Sequence, residues 1–425
     1  MTQKILQAAR RASGGGGPAR SRSLYGELHR RIGRIAPPTA PFDPPPGSLL
    51  SGLSHALLDR ILSDPHLHSS KCLAFFDYLL ENQPSSLSFR PNLQSHLVLA
   101  CRLLKATNFG GAERLLRSVL MNRNGPLPFS AIACVIEKRC VKARIRAKLL
   151  EMMFKVYSEH GLYGQASQAF DYMRKRGVRI NERACTVHLL ALKRSDQVGL
   201  CVEFFGKMVD SGVGISVYSL TVVVDGLCRC GAVKMARELV EQMSRKRVEP
   251  NIVTFNTLID ACVKWWNFNE LDLVLVLMQK EGVEFNPETY KFLVGGYASF
   301  GWAKEAEKLI FKMHDLGLKV EIHLYNLTIG AFGKVGSARS AVNLFDEMTK
   351  RGVEKNADTY WALISGLCEV GEIEEVIRYI GEMQRKGIQI GEVMMERVVD
   401  AFCKRGMVDE AYNFLASIEK REAKS

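Results

Sequence analysis

A chain of 425 residues, 47% hydrophobic and 24% charged, has the composition of an ordinary folded soluble protein. No stretch approaches the roughly 18 consecutive apolar residues of a membrane span. Eleven cysteines without a single C-x-x-C argue against a zinc site, since Cys228 and Cys230 form only a C-x-C. The formal charge of +13 is uneven: residues 1–50 hold eight Lys/Arg against two Asp/Glu, so the remainder is only mildly basic and charge alone does not establish nucleic-acid binding.

From Met1 to Pro37 the only acidic residue is Glu27, while Arg10, Arg11, Arg20, Arg22, Arg30, Arg31 and Arg34 accompany Ser13, Ser21 and Ser23. An Arg-rich, acid-poor start predicts an organellar transit peptide over residues 1–40, disordered and outside the fold. The early arginines favour the mitochondrion, with the chloroplast as the alternative; the other reading is a basic arm that stays on the mature protein. Ile5, Leu6 and Ala9, with Lys4, Arg10 and Arg11, suit a short basic amphipathic helix. Gly14 to Gly17 and Pro44, Pro45 and Pro46 do not suit packed elements. Residues 46–146 read as an irregular N-terminal helical cap. Within it 48–81 is helical by pattern, and 93–120 looks like one degenerate repeat with Ala112, Leu115 and Leu116 on its apolar face.

Beyond that point the chain keeps a strict beat. Met173, Met208, Met243, Met278, Met313, Met348 and Met383 lie 35 residues apart, although only 15 of 425 residues are Met, so chance does not account for them. Gly177, Gly212, Gly282, Gly317, Gly352 and Gly387 each follow such a Met by four residues, and a second register runs through Gly161, Gly231, Gly301, Gly336, Gly371 and Gly406. A period of this length means a solenoid, in which each unit buries its apolar face against its neighbours. In the unit 252–286, Phe255, Leu258, Ile259 and Cys262 make one face of a first helix over Thr254–Lys264. A second helix from about Asn269 to Lys280 carries Leu271, Val274, Leu275 and Met278, with Asn269 as its expected N-cap and Gly282 as its stop. The methionines are thus expected in the core and not as a metal or cofactor stripe. Cys228, Cys368 and Cys403, with Cys262 one place earlier, are expected as small buried side chains. Eight units follow: 147–181, 182–216, 217–251, 252–286, 287–321, 322–356, 357–391 and 392–425. The last, with Ile418 at the Met position and a charged tail, suits a capping repeat.

The strings NIVTFNTLIDACVK, VYSLTVVVDGLCRCG, NADTYWALISGLCEVG and SAVNLFDEMTKRGVEKN resemble the pentatricopeptide repeat family over 147–425. The resemblance implies an all-α fold, a right-handed α-solenoid of 35-residue helix-turn-helix repeats, which binds single-stranded RNA at one base per repeat. In the family the fifth residue of each unit and its last residue choose the base. Carried over, Thr221 with Asn251 resembles an adenine reader, and Asn256 with Asn286 and Asn326 with Asn356 resemble pyrimidine readers. Val253, second in its unit, matches the apolar side chain that clamps bases. Thr186 with Ser216, Lys291 with Glu321, Trp361 with Gly391 and Glu151 with Asn181 depart from the pattern. Lys291 and Glu321 suit a salt bridge, and Trp361 either stacks on a base or packs in the groove.

Arg194, Arg229, Lys264, Lys334 and Lys404 share one place at the end of the first helix, a row broken by Glu159, Ser299 and Glu369 that can follow a phosphate backbone. Ordinary C-terminal helix charge is the other reading of that row. No histidine stands at nucleophile spacing from a Cys or Asp, and the H-x-E and P-C-x-x-C of the deaminase-bearing relatives are absent. No enzyme activity, cofactor, metal or appended nuclease is expected, which resembles the P class of the family. The expected role is sequence-selective binding of organellar RNA, in splicing, transcript stabilisation or translation, by a monomer with splicing or ribosomal proteins as further partners. The rival expectations are a protein-binding scaffold and a non-specific RNA-binding component of the organellar ribosome.

Overall fold

The structure, a computed structural model, describes residues 18–33, 50, 52–81, 89–120, 127–139 and 142–422. Among the described residues there are 22 helices and no strand, an α-helical repeat solenoid. The chain divides into two compact bodies, Met1–Ile215 and Ser216–Ser425.

The first body contains α1 (Pro18–Gly33), α2 (His55–Ser63), α3 (Ser69–Glu81), α4 (Leu93–Lys105), α5 (Phe109–Leu120), α6 (Phe129–Arg139), α7 (Ala143–Glu159), α8 (Tyr163–Lys175), α9 (Glu182–Arg194) and α10 (Val198–Asp210). Helix α1 corrects the expectation of a wholly disordered residues 1–40. Leu28 and Ile32, one turn apart, are buried, and Tyr25 donates to the Asp64 carboxylate. The Lys71 ammonium reaches the Gly33 carbonyl at 2.6 Å. Arginine-rich composition hid an apolar stripe of period 3.6. The amphipathic segment around Ile5, Leu6 and Ala9, Gly14 to Gly17, and Pro44 to Pro46 lie outside the described residues. Ala112, Leu115 and Leu116 are buried in α5, and Arg102 on α4 donates to the Leu62 and Leu67 carbonyls, tying α4 to the segment that follows α2. Helix α7 begins at Ala143, four residues before the unit start at Ala147.

The second body is a run of hairpins: α11 (Val217–Arg229) with α12 (Val233–Arg245), α13 (Ile252–Lys264) with α14 (Phe268–Lys280), α15 (Pro287–Phe300) with α16 (Ala303–Asp315), α17 (Ile322–Lys334) with α18 (Ala338–Lys350), α19 (Ala357–Val370) with α20 (Ile373–Arg385), and α21 (Glu392–Lys404) with α22 (Val408–Glu422). Each first helix packs directly on the next first helix. Met243, Met278, Met313, Met348 and Met383 are all at most 2% exposed, as are Met173 and Met208 in the first body, so the lattice is core. Cys228, Cys262 and Cys368 are buried, but Cys403 is exposed, because its face of α21 is not covered by a further first helix among the described residues.

The turn between the helices of a hairpin needs a left-handed residue. Glycine supplies it in most units, and where glycine is missing the chain takes the same conformation anyway: Asp196 has φ 51°, Trp266 φ 56° and Thr107, in the degenerate unit, φ 60°. The N-cap of α14 is Asn267, whose side chain accepts from the Glu270 amide, and not Asn269, which lies inside the helix. First helices are capped by the last residue of the preceding unit: Ser216, Asn251, Asn286 and Asn356 each accept from the amide three residues on. That third residue is Ser219, Thr254, Thr289 or Thr359, each 0% exposed.

Candidate nucleic-acid interface

Because unit ends cap the next first helix, the fifth residue of one unit and its last residue meet where two first helices pack. Thr221 Oγ1 lies 2.8 Å from Thr254 Oγ1, which in turn donates to Asn251 Oδ1 at 3.2 Å. Asn256 Nδ2 donates to Asn286 Oδ1 at 3.2 Å, and Thr289 Oγ1 donates to Asn256 Oδ1 at 2.7 Å. Asn326 Nδ2 reaches Asn356 Oδ1 at 3.4 Å. These pairs recur at one place in successive hairpins and form a half-exposed polar row. An amide has two N–H donors and two acceptor lone pairs, so a pair held this way still has capacity for a base edge.

The remaining positions behave differently. Lys291 and Glu321 form an ion pair at 2.7 Å; their hydrogen bond raises the lysine and lowers the carboxyl from their ordinary values, so both stay charged around neutrality. Glu321 makes no side-chain cap bond, and neither does Gly391. In the first body, Thr186 is 8% exposed and its hydroxyl donates to the Glu182 carbonyl at 3.0 Å, as that of Thr221 does to the Val217 carbonyl at 2.8 Å; Asn181 caps α9, and Glu151 pairs with Lys148. Ser216 is the cap of α11. Trp361 is half-buried, with the Arg397 guanidinium 5.7 Å from its ring centre and Arg397 held by Glu369 at 2.9 Å.

Trp361 and Asn326 line one cavity of about 490 Å³ together with His323, Lys334, Ser365 and Arg397. Two buried polar atoms of residues lining it, Asn326 Oδ1 and Ser365 Oγ, have no hydrogen-bond partner among the described residues. A buried acceptor without a donor costs about 1–3 kcal/mol, which a ligand N–H relieves.

Val253 is 57% exposed, an unusual position for an aliphatic side chain on a packed helix. Tyr218 and Val393 stand at the same place in their units and are 59% and 66% exposed. The sequence reading passed over both, although counting from Val253 by the period reaches Tyr218 in one step. Arg194, Arg229, Lys264, Lys334 and Lys404 are all exposed at first-helix ends. Arg229, Lys264 and Lys404 pair with Asp225 (3.5 Å), Asp260 (2.6 Å) and Asp400 (2.7 Å), one turn earlier. Leu190 and Gly330 stand at that place before Arg194 and Lys334. Exposed i,i+4 pairs are weak and salt-screened, so a phosphate competes with them readily.

Among the described residues three histidines lie close to a hydroxyl: His68 Nδ1 is 2.7 Å from Ser70 Oγ, a pair exposed to solvent, His314 Nε2 is 2.7 Å from Tyr325 Oη, and Ser158 Oγ lies 2.8 Å from His188 Nδ1 in the first body. In the last pair the groups are sealed in the core. Both are buried, the serine also donates to the Phe154 carbonyl, and the imidazole is wedged against Phe154 and Phe204. Burial holds His188 down to about 4, so it is neutral at physiological pH. A hydroxyl and base sealed from solvent serve packing. Among the described residues no group of three or more His, Cys, Asp or Glu is placed to hold a metal ion, and no helix is long and apolar enough to cross a membrane.

Stacked helical hairpins with a periodic polar row along the first helices define a helical-repeat solenoid. The pattern described as PPR repeat matches residues 152–178, 253–283, 288–318, 358–388 and 395–422, and that of the PPR repeat family matches 216–264 and 320–369. Together they cover just over half of the chain, which belongs to the pentatricopeptide repeat family. It is similar to a pentatricopeptide repeat-containing protein of Arabidopsis thaliana, 37% identical over 161 residues, which are 37% of this chain and 25% of that protein. A second Arabidopsis thaliana protein of the same description, named as mitochondrial, is 24% identical over 138 residues, 32% of this chain and 25% of its own length. The chain thus matches a quarter of the length of these curated relatives. Among solved structures, the pentatricopeptide repeat protein PPR10 from maize has the same fold at a TM-score of 0.50 and 22% identity, covering 99% of this chain and 54% of that one.

Proposed function

We propose that this protein binds single-stranded RNA sequence-selectively along the first-helix row of its second body. The observation that carries this reading is the recurrence of the polar pairs: Asn256 with Asn286, and Asn326 with Asn356, stand at equal places two units apart. Exposed apolar residues at second positions and cations at first-helix ends supply the two other contacts a single strand needs, stacking and phosphate neutralisation. Binding works passively: a segment held extended is denied to exonucleases and to competing RNA pairing. In this reading the setting is organellar RNA metabolism, most specifically intron splicing in mitochondria, with stabilisation or translation as outcomes set by where the bound segment lies. The Arg-rich start and a relative named as mitochondrial support the organelle.

Filter binding with single-stranded RNAs of about 20–30 nucleotides across a salt series tests the ligand. RNA binding weakens steeply as salt rises; a protein scaffold gives no saturable RNA affinity, and an unselective ribosomal component gives equal affinity for all sequences. The substitution Asn256→Thr tests the register. It is expected to move the preference at one base from pyrimidine towards purine with the melting temperature unchanged; an unaltered preference would remove Asn256 from the reading row.

A further inference from the structure

The turns of two consecutive hairpins in the second body carry three of the four tryptophans of the chain. Trp265 is pinned against the turn before it: its Nε1–H donates to the Cys228 carbonyl at 2.8 Å, and its ring covers Gly231 so closely that a Cβ there would meet it at 3.3 Å. Trp266 follows in the left-handed conformation that most units assign to glycine, and packs on Phe300 with ring centres 5.7 Å apart. Phe300 rests on buried Phe268 at 4.3 Å and meets Trp302 edge-on at 4.8 Å. Yet Trp265, Trp266, Phe300 and Trp302 are each 40–55% exposed.

Two features of this cluster are not explained by packing. A bulky residue at positive φ is strained, and Trp266 recovers little of that cost by burial, since more than half of it faces water. The cluster also begins one residue after the cation row: Lys264 precedes Trp265, and Ser299, which with Glu369 interrupts that row in the second body, precedes Phe300. Lys264 and Lys334 flank Ser299 on either side, and Arg229 lies one unit further along.

We propose that this aromatic ledge is a second RNA contact, outside the base-reading row, on which one to three unpaired bases stack where the cation row is interrupted. The inference rests on the RNA reading above. Rings fixed by neighbours lose little entropy on contact, and stacking tolerates any base, so the ledge adds affinity without adding sequence preference. The cations beside it draw the phosphates of the same strand, which is why a nucleic acid and not an apolar protein face is the occupant.

The test uses the full chain and a pool of random 25-nucleotide single-stranded RNAs in filter binding, with thermal melting alongside. Trp266→Gly installs the residue that relieves the backbone strain, so its melting temperature is expected to be equal or higher. Its RNA affinity is expected to fall roughly tenfold, about the contribution of one stacked base, with the salt slope unchanged. Phe300→Leu keeps apolar bulk but loses the aromatic face, and is expected to weaken binding in the same direction. If the parent protein binds RNA and both variants bind equally well, the ledge is not an RNA contact while the reading row stands. If the parent binds no RNA, the proposed function fails and the ledge falls with it.

Discussion

The units 252–286 and 322–356 carry the same residues at their fifth and last positions, yet the two amide pairs are in different states. In the first, Asn256 Oδ1 accepts from Thr289 Oγ1 at 2.7 Å while its Nδ2 donates to Asn286. In the second, Thr359 Oγ1 reaches Asn356 Oδ1 at 2.8 Å, much as Thr289 Oγ1 reaches Asn286 Oδ1 at 2.9 Å, but Asn326 Oδ1 is left buried without a donor. The helix interfaces below them differ too. Val263 on α13 faces Gly296 on α15, whereas Gly333 on α17 faces Gly366 on α19 so closely that a Cβ on Gly333 would lie 2.4 Å from the Gly366 Cα. Identity of residues at the reading positions therefore does not give identity of environment.

The largest test of this comparison concerns what the two units share. Met278→Ala and Met348→Ala are each expected to cost about 2–5 kcal/mol in urea unfolding, by the loss of buried side-chain volume. Similar losses would confine the difference between the units to their polar rows; a gap of several kcal/mol would trace it to the core. The next test breaks the tight interface. Gly333→Val copies the residue that α13 carries, but the α17–α19 gap has no room for it, and an overpacking cost of about 1–3 kcal/mol is expected. A loss below roughly 0.5 kcal/mol would mean the two helices separate freely.

The ion-paired unit between them offers a gain of function. Lys291→Asn combined with Glu321→Asn turns it into a third amide pair. A new pyrimidine preference of roughly tenfold at one base, worth about 1.4 kcal/mol, is expected in binding to RNAs that differ only there. The smallest effect is that of Thr289→Val, which removes the donor to Asn256 together with the hydroxyl that accepts from the Asn286 amide in the capping box. The expected stability loss is about 1 kcal/mol from the hydrogen bonds whose partners stay half-buried. A loss indistinguishable from zero would show that the Asn256 carbonyl is satisfied by solvent.

The period of 35 made the hairpins and their core legible, because Met and Gly recur for reasons of packing and turn geometry that local sequence carries. Even Trp266, where the sequence shows no glycine, keeps the left-handed turn that the register requires. The residues of the reading row were also legible by position, but not their states. Asn286 and Asn356 are helix caps, and a cap places asparagine there whether or not RNA is read. The orphaned Asn326 carbonyl and the close Gly333–Gly366 contact two turns away both arise between units, and no local pattern announces either. Helix α1 was missed because arginine content outweighed a short apolar stripe, and the aromatic turn because its residues are close only across two hairpins.

The double duty of the unit-final residue limits how such a protein is recoded. A side chain there must offer a short acceptor to the amide three residues on, so Asn, Asp, Ser and Thr exchange at little expense to the helix that follows. Glu321 and Gly391, which make no side-chain cap bond, end two of the units of the second body that lack a recognisable reading pair. Under the proposed reading, mechanical integrity and vocabulary are thus drawn from one small set of letters, and a drift at this position that abandons the set gives up a helix cap as well as a reader.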